Sequence, residues 1–572
     1  MWMPDDNKIK EEKTQMKKTK LLKKIGVFSL SALVLMGAGF TEIGNSIGTN
    51  ISVSAVDVYT EGDFQYCIFD GEADLRGYVG SGGDVVIPST LGGYPVTSLF
   101  YRCFAANRSI TSVVIPDSVT YIGESSFLGC WNLKSVKLPE NLETIGISAF
   151  RSCTHLSEIS IPDSVAVIGT NAFEGCSGFT EFTFPEGLES TSYGVLDNCY
   201  NLKSVTIPSS VKVIGPHSFS NCRSLTHIDL PDGLTEIGIN AFHNCSGLTS
   251  IDIPEGVERI GGAAFARCSS LSGIVFPDKV TKIEQFVLAN CESLKEFTIP
   301  NKVTEIEDYA FSKCTALEKM EIPGSVKNIE DEAFENCSSL STIIIPDTVT
   351  DLGKDTFKDC NLLTIYGSSG NAAHQYANDN NISFAEYKPL KNTSSISEKA
   401  IIKGSSVTVS CNSQGGIGET QYAVFYKQKA QTRWTCAQNY SLNTTVNITP
   451  KASTTYNVRI KAKDTFGKIT NKDFTLTANK PLKNTSSIAE TTIKKGSSVT
   501  VNCNSEGGMG NTQYAVFYKQ KAQTRWTCAQ NYKENKIINI TPKAAVAYDI
   551  RIKAKDKSGT IKNKDFTLSV TR

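Results

Sequence analysis

Three periodicities in the 572-residue chain predict its fold class: a solenoid of short β-strands followed by two all-β sandwich modules. Cysteine recurs at every twenty-third residue from Cys130 to Cys360. Eleven prolines, from Pro116 to Pro346, keep the same interval. A second repeat, of period 92, fills the last third, where QYAVFYKQKAQTRWTCAQNY stands at 421–440 and again at 513–532. A fixed period of roughly 20–29 residues with LxxLxL spacing marks an α/β-type leucine-rich repeat solenoid, here made mostly of short strands.

The first segment, residues 1–55, reads as a secretory signal peptide. A basic run, KKTKLLKK at 17–24, precedes the apolar stretch Ile25 to Phe40, and small residues Val53 and Ala55 stand at −3 and −1 of a cleavage point after Ala55. The apolar stretch is shorter than the ~20 residues a membrane helix needs, so no span is expected after cleavage. An uncleaved anchor is the alternative, and Met16 is an alternative start. Ser569-Val570-Thr571-Arg572 carries no sorting motif. The expected location is secreted or extracellular, with cell-wall association open.

Residues 56–106 form an amino-terminal cap with a degenerate first repeat, and 107–387 form the solenoid with its closing cap. The unit CSGLTSIDIPEGVERIGGAAFAR at 245–267 shows each slot. Leu248, Ile251 and Ile253 point one way along a strand, Pro254 ends it, Val257 and Ile260 make a second inward pair, and Ala264 and Phe265 pack the returning limb. One coil cannot bury this face alone, so coils stack at about 4.8 Å and eleven span roughly 50–55 Å. Two units depart from the pattern. One has Thr191-Ser192 for Ile-Gly and Val195-Leu196 for Ala-Phe; the other has Glu284 for Gly and Val287-Leu288 for Ala-Phe. Both coils are expected to be irregular.

The unit IPxxVxxIGxxAFxxC resembles the bacterial BspA-like leucine-rich repeat surface proteins. The flanks GDFQYCIFDGEADLRGYVGSGGDVVIPSTLGGYP (62–95) and LTIYGSSGNAAHQYANDNNISF (363–384) resemble that family's cap and closing segment. The resemblance covers 56–387 and implies an extracellular, non-catalytic array for adhesion or ligand binding.

The repeated cysteines Cys130, Cys153, Cys176, Cys199, Cys222, Cys245, Cys268, Cys291, Cys314, Cys337 and Cys360 are expected to form one buried structural column. Their Cβ vectors run parallel and their number is odd, which favours free thiols over bridges. Cys67 and Cys103 lie outside that slot and are candidates for a bridge from cap to first coil.

Residues 388–479 and 480–572 each read as a β-sandwich, from alternating runs such as Val407-Thr408-Val409 and Tyr456-Asn457-Val458-Arg459-Ile460. With Tyr422, Tyr426 and Tyr456, the first module resembles the triple-tyrosine, fibronectin-III-like modules of bacterial extracellular proteins. Parity puts Cys411 with Val409 and Cys436 with Trp434, so Cys411/Cys436 and Cys503/Cys528 are candidate disulfides. The same parity favours core packing for Trp434 and Trp526, with sugar stacking the other reading.

A formal net charge of zero hides a division. Residues 56–387 hold 20 basic and 43 acidic side chains, and residues 388–572 hold 30 and 10. The basic modules are candidates for an anionic cell-wall polymer; surface lysines that blunt sheet edges are the plainer account. Nucleic acid is not an expected partner. Nor is a catalytic site, metal or cofactor expected: His155, His217, His227, His243 and His374 fall at unrelated slots, and no HExxH, GxSxG, phosphate-cradling or EF-hand pattern occurs.

A protein or cell-surface polymer is the expected ligand. It would meet the outward strand positions of the array, Lys134, Lys137, Glu158, Lys203, His227, Asp229, Asp252, Lys295 and Glu296, read as one continuous sheet face. The function expected is that of a secreted or cell-surface binding or adhesion protein. The alternative is an accessory glycan-binding component of an extracellular polysaccharide-degrading system.

Overall fold

A computed structural model describes residues 57–572, which fall into two compact units divided between Ala385 and Glu386. The leader predicted at 1–55 lies outside the described residues. No described helix is long and apolar enough to cross a membrane.

The first unit opens with an antiparallel cap, Tyr59–Glu61, Phe64–Phe69 and Glu72–Tyr78, whose last strand pairs in parallel with Tyr94–Leu99. From there the chain winds in coils that pair 23 residues apart: Thr144 opposite Val167, Ile145 opposite Ile168, Glu236 opposite Arg259. The returning limbs are successive turns, and the one helix among the described residues, Ala372–Asp379, belongs to the closing segment. Asn371 caps that helix by accepting from the His374 N–H, and the strand Ser383–Glu386 then finishes the last sheet.

Stacking brings like residues into columns. Phe104, Phe127, Phe150 and Phe173 lie ring on ring at 5.0–5.3 Å, as do Phe219, Phe242 and Phe265 at 5.4–5.5 Å. The eleven repeat cysteines form a second buried column, and thiols along it donate to a carbonyl 26 residues earlier, as Cys245 does to Phe219 at 3.1 Å. A glycine column runs where coils touch most closely. A Cβ on Gly238 would lie 2.6 Å from the Pro216 nitrogen, and one on Gly215 would lie 2.2 Å from the Thr191 oxygen.

The two departing coils interrupt this order. Between the strand Val167–Ile168 and Val213–Ile214 only a single bridge, Ser190 to Val213, remains, and Thr191 bonds the Gly215 N–H through its hydroxyl instead. The ladder breaks again between Arg259–Ile260 and Lys282–Ile283, where Glu284 replaces the close-contact glycine. Leu196 and Leu288 leave gaps in the ring stack, and other phenylalanines fill them. Phe182 and Phe184 bridge from Phe173 to Phe219, while Phe276 and Phe297 bridge from Phe265 to Phe311.

The second unit holds two sandwiches of matching build. In the first, the three-stranded sheet Ser395–Ile396, Val407–Ser410, Thr445–Ile448 faces the five-stranded sheet Ala400–Ile402, Ile469–Asn479, Thr455–Lys463, Gln421–Gln428, Thr435–Ser441. Val407, Val409, Val424, Val458, Ile460 and Leu476 fill the space between. Tyr422 and Tyr456 bury their rings there and satisfy their hydroxyls at the rim, on Ser413 at 2.8 Å and the Ala452 N–H at 3.0 Å. The second module repeats both contacts with Tyr514 and Tyr548.

The glycine column gives a paired prediction. Gly238→Ala forces its new methyl against the backbone of the neighbouring coil and should destabilise by about 1–3 kcal/mol. Gly273→Ala, with open space around the built Cβ, should leave the thermal midpoint unchanged or raise it. Equal losses in the two variants would refute the contact argument.

Candidate functional site

All nine candidate ligand-face residues of the array are exposed: Lys134, Lys137, Glu158, Lys203, His227, Asp229, Asp252, Lys295 and Glu296. The continuous sheet expected beneath them is not present. Paired strands run from Gly83–Val86 to Glu158–Ile159, form a pair at Glu181–Thr183 and Ser204–Thr206, and resume at Lys319–Glu321. Between these, the equivalent stretches of the coils opening at Cys222, Cys245, Cys268 and Cys291 form no strand. Asp229, Asp252 and Gly273 occupy successive coils there, and both residue types are poor strand formers. His227, Asp229, Asp252, Lys295 and Glu296 therefore sit outside any strand, while Lys137 and Glu158 lie in true strands and Lys134 and Lys203 immediately precede them.

Charge on the array is arranged in two ways. On the edge away from the candidate face, cations bridge coils: Arg259 reaches Glu236 at 2.8 Å and Glu284 at 2.9 Å, and Lys282 reaches Glu305 and Glu307 at 3.2 and 2.5 Å. Such exposed pairs contribute little singly. Lys203 and Lys295 form no ion pair among the described residues, while Lys134 lies close enough to the Asp84 carboxylate to interact with it. A shallow hollow of about 550 Å³ opens where the first repeats begin, lined by Ser89, Thr90, Pro95, Pro116, Asp117 and Lys137.

The histidines serve local contacts. His227 meets Asp229 at 2.9 Å on the exposed surface; His155 meets the Trp131 carbonyl at 2.6 Å; His217 packs against Tyr193. Among the described residues no three His, Cys, Asp or Glu side chains are grouped to hold a metal.

The structure holds all seventeen cysteines as free thiols and joins none of the three candidate pairs. Cys67 is buried and accepts from the Arg76 guanidinium at 2.7 Å rather than joining Cys103. Cys411 and Cys503 are buried, whereas Cys436 and Cys528 are exposed and cannot reach them. Parity misled because Thr435–Ser441 is the sheet's edge strand and its pairing with Gln421–Gln428 shifts register twice. Burial pushes up the array thiols from Cys153 to Cys337, to about 12 for Cys268 and Cys314.

Trp434 and Trp526 are also corrected. Neither packs in a core; each lies half-buried on the outer face of its five-stranded sheet. Lys427 and Arg459 stand over the Trp434 ring at 5.2 Å each, and Lys519 and Arg551 over Trp526 at 5.4 and 5.1 Å. The same face carries Lys461 over Phe425 and Lys463 over Tyr440, repeated by Lys553 over Phe517 and Lys555 over Tyr532. Arg459 is fixed by two bonds of 2.8 Å to Asp473, whose carboxyl they hold below its ordinary range. This cation–aromatic face was legible: Arg459, Lys461 and Lys463 alternate along one strand opposite the buried Val458, Ile460 and Ala462.

Residues 97–223, 195–318 and 304–431 match the family model described as BspA type leucine rich repeat region, in 6 copies. No curated protein matches the chain. Among solved structures, a leucine rich cell surface protein of Faecalibacterium prausnitzii is 32% identical, covering 51% of this chain and 95% of its own, at a TM-score of 0.37. A leucine-rich repeat protein of Bacteroides ovatus is 26% identical, covering 58% and 100%, at 0.43. The pneumococcal vaccine antigen PcpA is 20% identical, covering 58% and 99%, at 0.44.

The thiol geometry makes a direct prediction. Alkylation of the native protein at about pH 8 should modify Cys436 and Cys528 alone, since the other thiols are buried away from the reagent and those pushed to about 12, Cys268 and Cys314 among them, hold almost no thiolate there. The other fifteen should react only after unfolding, as peptide mass mapping would report. Rapid native labelling of Cys245 or Cys268 would contradict the buried column.

Proposed function

The chain belongs to the BspA-type leucine-rich repeat family, and on that premise we propose that it is a non-catalytic binding or adhesion protein of the cell surface or its surroundings. The array presents the ligand surface and the basic pair of modules holds the chain to an anionic cell-wall polymer. The observation that carries this reading is the contrast between units: 43 acidic against 20 basic residues over 56–387, and 10 against 30 over 388–572. Two surfaces of opposite charge on one chain suit two different partners. Lys203 and Lys295, exposed and without an ion pair among the described residues, are the array side chains best placed for an acidic group on a protein partner.

A second reading, an accessory glycan-binding component, draws on the outward position of Trp434 and Trp526. Against it, cations stand over both rings, the faces a sugar would need.

Salt separates the two. Retention of 388–572 on isolated cell walls should fall steeply between about 0.1 and 1 M salt, over which the screening length shrinks from about 10 to 3 Å. Residues 56–387 should show little retention at any salt. Binding of 388–572 to neutral polysaccharide that persists at 1 M would favour the glycan reading and refute the electrostatic one.

A further inference from the structure

The two modules share a groove of about 510 Å³ that is lined from both sides. The first module contributes Lys403 and the loop at 451–453, and the second contributes Lys480, Pro481, Lys483 and Glu506. Four ammonium groups thus border one hollow against a single carboxylate. Among the described residues none of the four has an ion-pair partner, whereas elsewhere in the modules Lys388 pairs with Glu386 at 3.3 Å and Lys519 with Asp549 at 3.5 Å.

The walls are tied by backbone. The Lys403 N–H donates to the Asn479 carbonyl at 2.8 Å, Gly404 to Pro450 at 3.0 Å, and Gly508 to Lys480 at 2.8 Å. Lys483 is held opposite Glu506 in an antiparallel pair. The lysine stems therefore spring from fixed points, so their mutual repulsion is not relieved by moving the loops apart. The period-92 repeat supplies Lys495 and Lys543 as counterparts of Lys403 and Lys451, and Lys388 and Lys391 as counterparts of Lys480 and Lys483. Only the junction joins the end of one module to the start of the next, so only there do both lysine pairs meet.

The chemistry selects the ligand class. The groove holds no arginine, the residue suited to bidentate carboxylate recognition; ammonium groups act as point charges and suit phosphate oxygens in several orientations. Its volume fits a short segment rather than a single small anion. We propose that this groove binds a phosphate-bearing polymer, with Lys403, Lys451, Lys480 and Lys483 contacting phosphate oxygens of successive units. The proposal rests on the wall-anchoring reading above and assigns that reading's contact to the junction rather than to the cation–aromatic sheet faces.

The test uses the full chain and end-labelled inorganic polyphosphate, followed by fluorescence anisotropy across a salt series. Wild type should bind. The triple variant K403Q/K480Q/K483Q should bind at least about tenfold more weakly with a shallower salt dependence and an unchanged thermal unfolding midpoint. The sheet-face variant K461Q/K553Q should stay within about twofold of wild type. If the triple variant binds as wild type does, or the sheet-face variant takes the whole loss, the groove is overturned and wall anchoring stands. If wild type ignores polyphosphate yet remains salt-sensitive on walls, the groove proposal alone falls. If it binds neither, both readings fall.

Discussion

Every coil of the array depends on contact with the coil before it at one strand spacing. A single 23-residue turn has an apolar face it cannot cover and backbone groups it cannot satisfy within itself; its neighbours supply both. That requirement sets the residue at each slot. Glycine stands where backbones approach within contact of a Cβ, as at Gly215 and Gly238. Cysteine stands where a small apolar side chain must also donate to a buried carbonyl, as Cys245 does to Phe219. Phenylalanine stands where a broad interior needs volume, and repetition turns it into a stack of rings.

Much of this was written in the sequence because the constraint repeats. Eleven cysteines at one interval fixed the coil length, the register and the burial of the column. Features that belong to single coils were harder to read. The loss of strand pairing at 226–299 goes with Asp229 and Asp252 stacked in one slot and Gly273 in the next coil, signals too weak to read singly. The gaps at Leu196 and Leu288 were visible, but not that Phe182, Phe184, Phe276 and Phe297, from other slots, would fill them. In the modules, parity counting failed for Trp434 and Cys436 for one reason. A strand at a sheet edge with two register shifts does not keep the alternation that a central strand such as Thr455–Lys463 keeps.

The two units also handle charge differently. In the array, cations are scarce and several bridge carboxylates on adjacent coils, as Arg259 and Lys282 do. In the modules, cations are in excess and rest on aromatic rings or stand unpaired at the junction. A lysine laid along a ring keeps its stem covered and its ammonium in water, so a crowded basic surface persists without carboxylates to balance it. The zero net charge of the chain is thus the sum of two surfaces with different chemistry.

The breaks beside the coils opening at Cys176 and Cys268 bear on how the array carries load. A linear stack loses coils by fraying from an end, and each loss is opposed by the coupling to the next coil. Where the ladder is reduced to the single bridge from Ser190 to Val213, and again where Glu284 displaces the glycine, the strand pairing is lost but the returning limbs still bond coil to coil, as the Phe173 N–H does to the Val195 carbonyl and the Phe265 N–H to that of Val287. Each coil is thus held to the next by more than one seam, so a fault in one seam need not divide the stack.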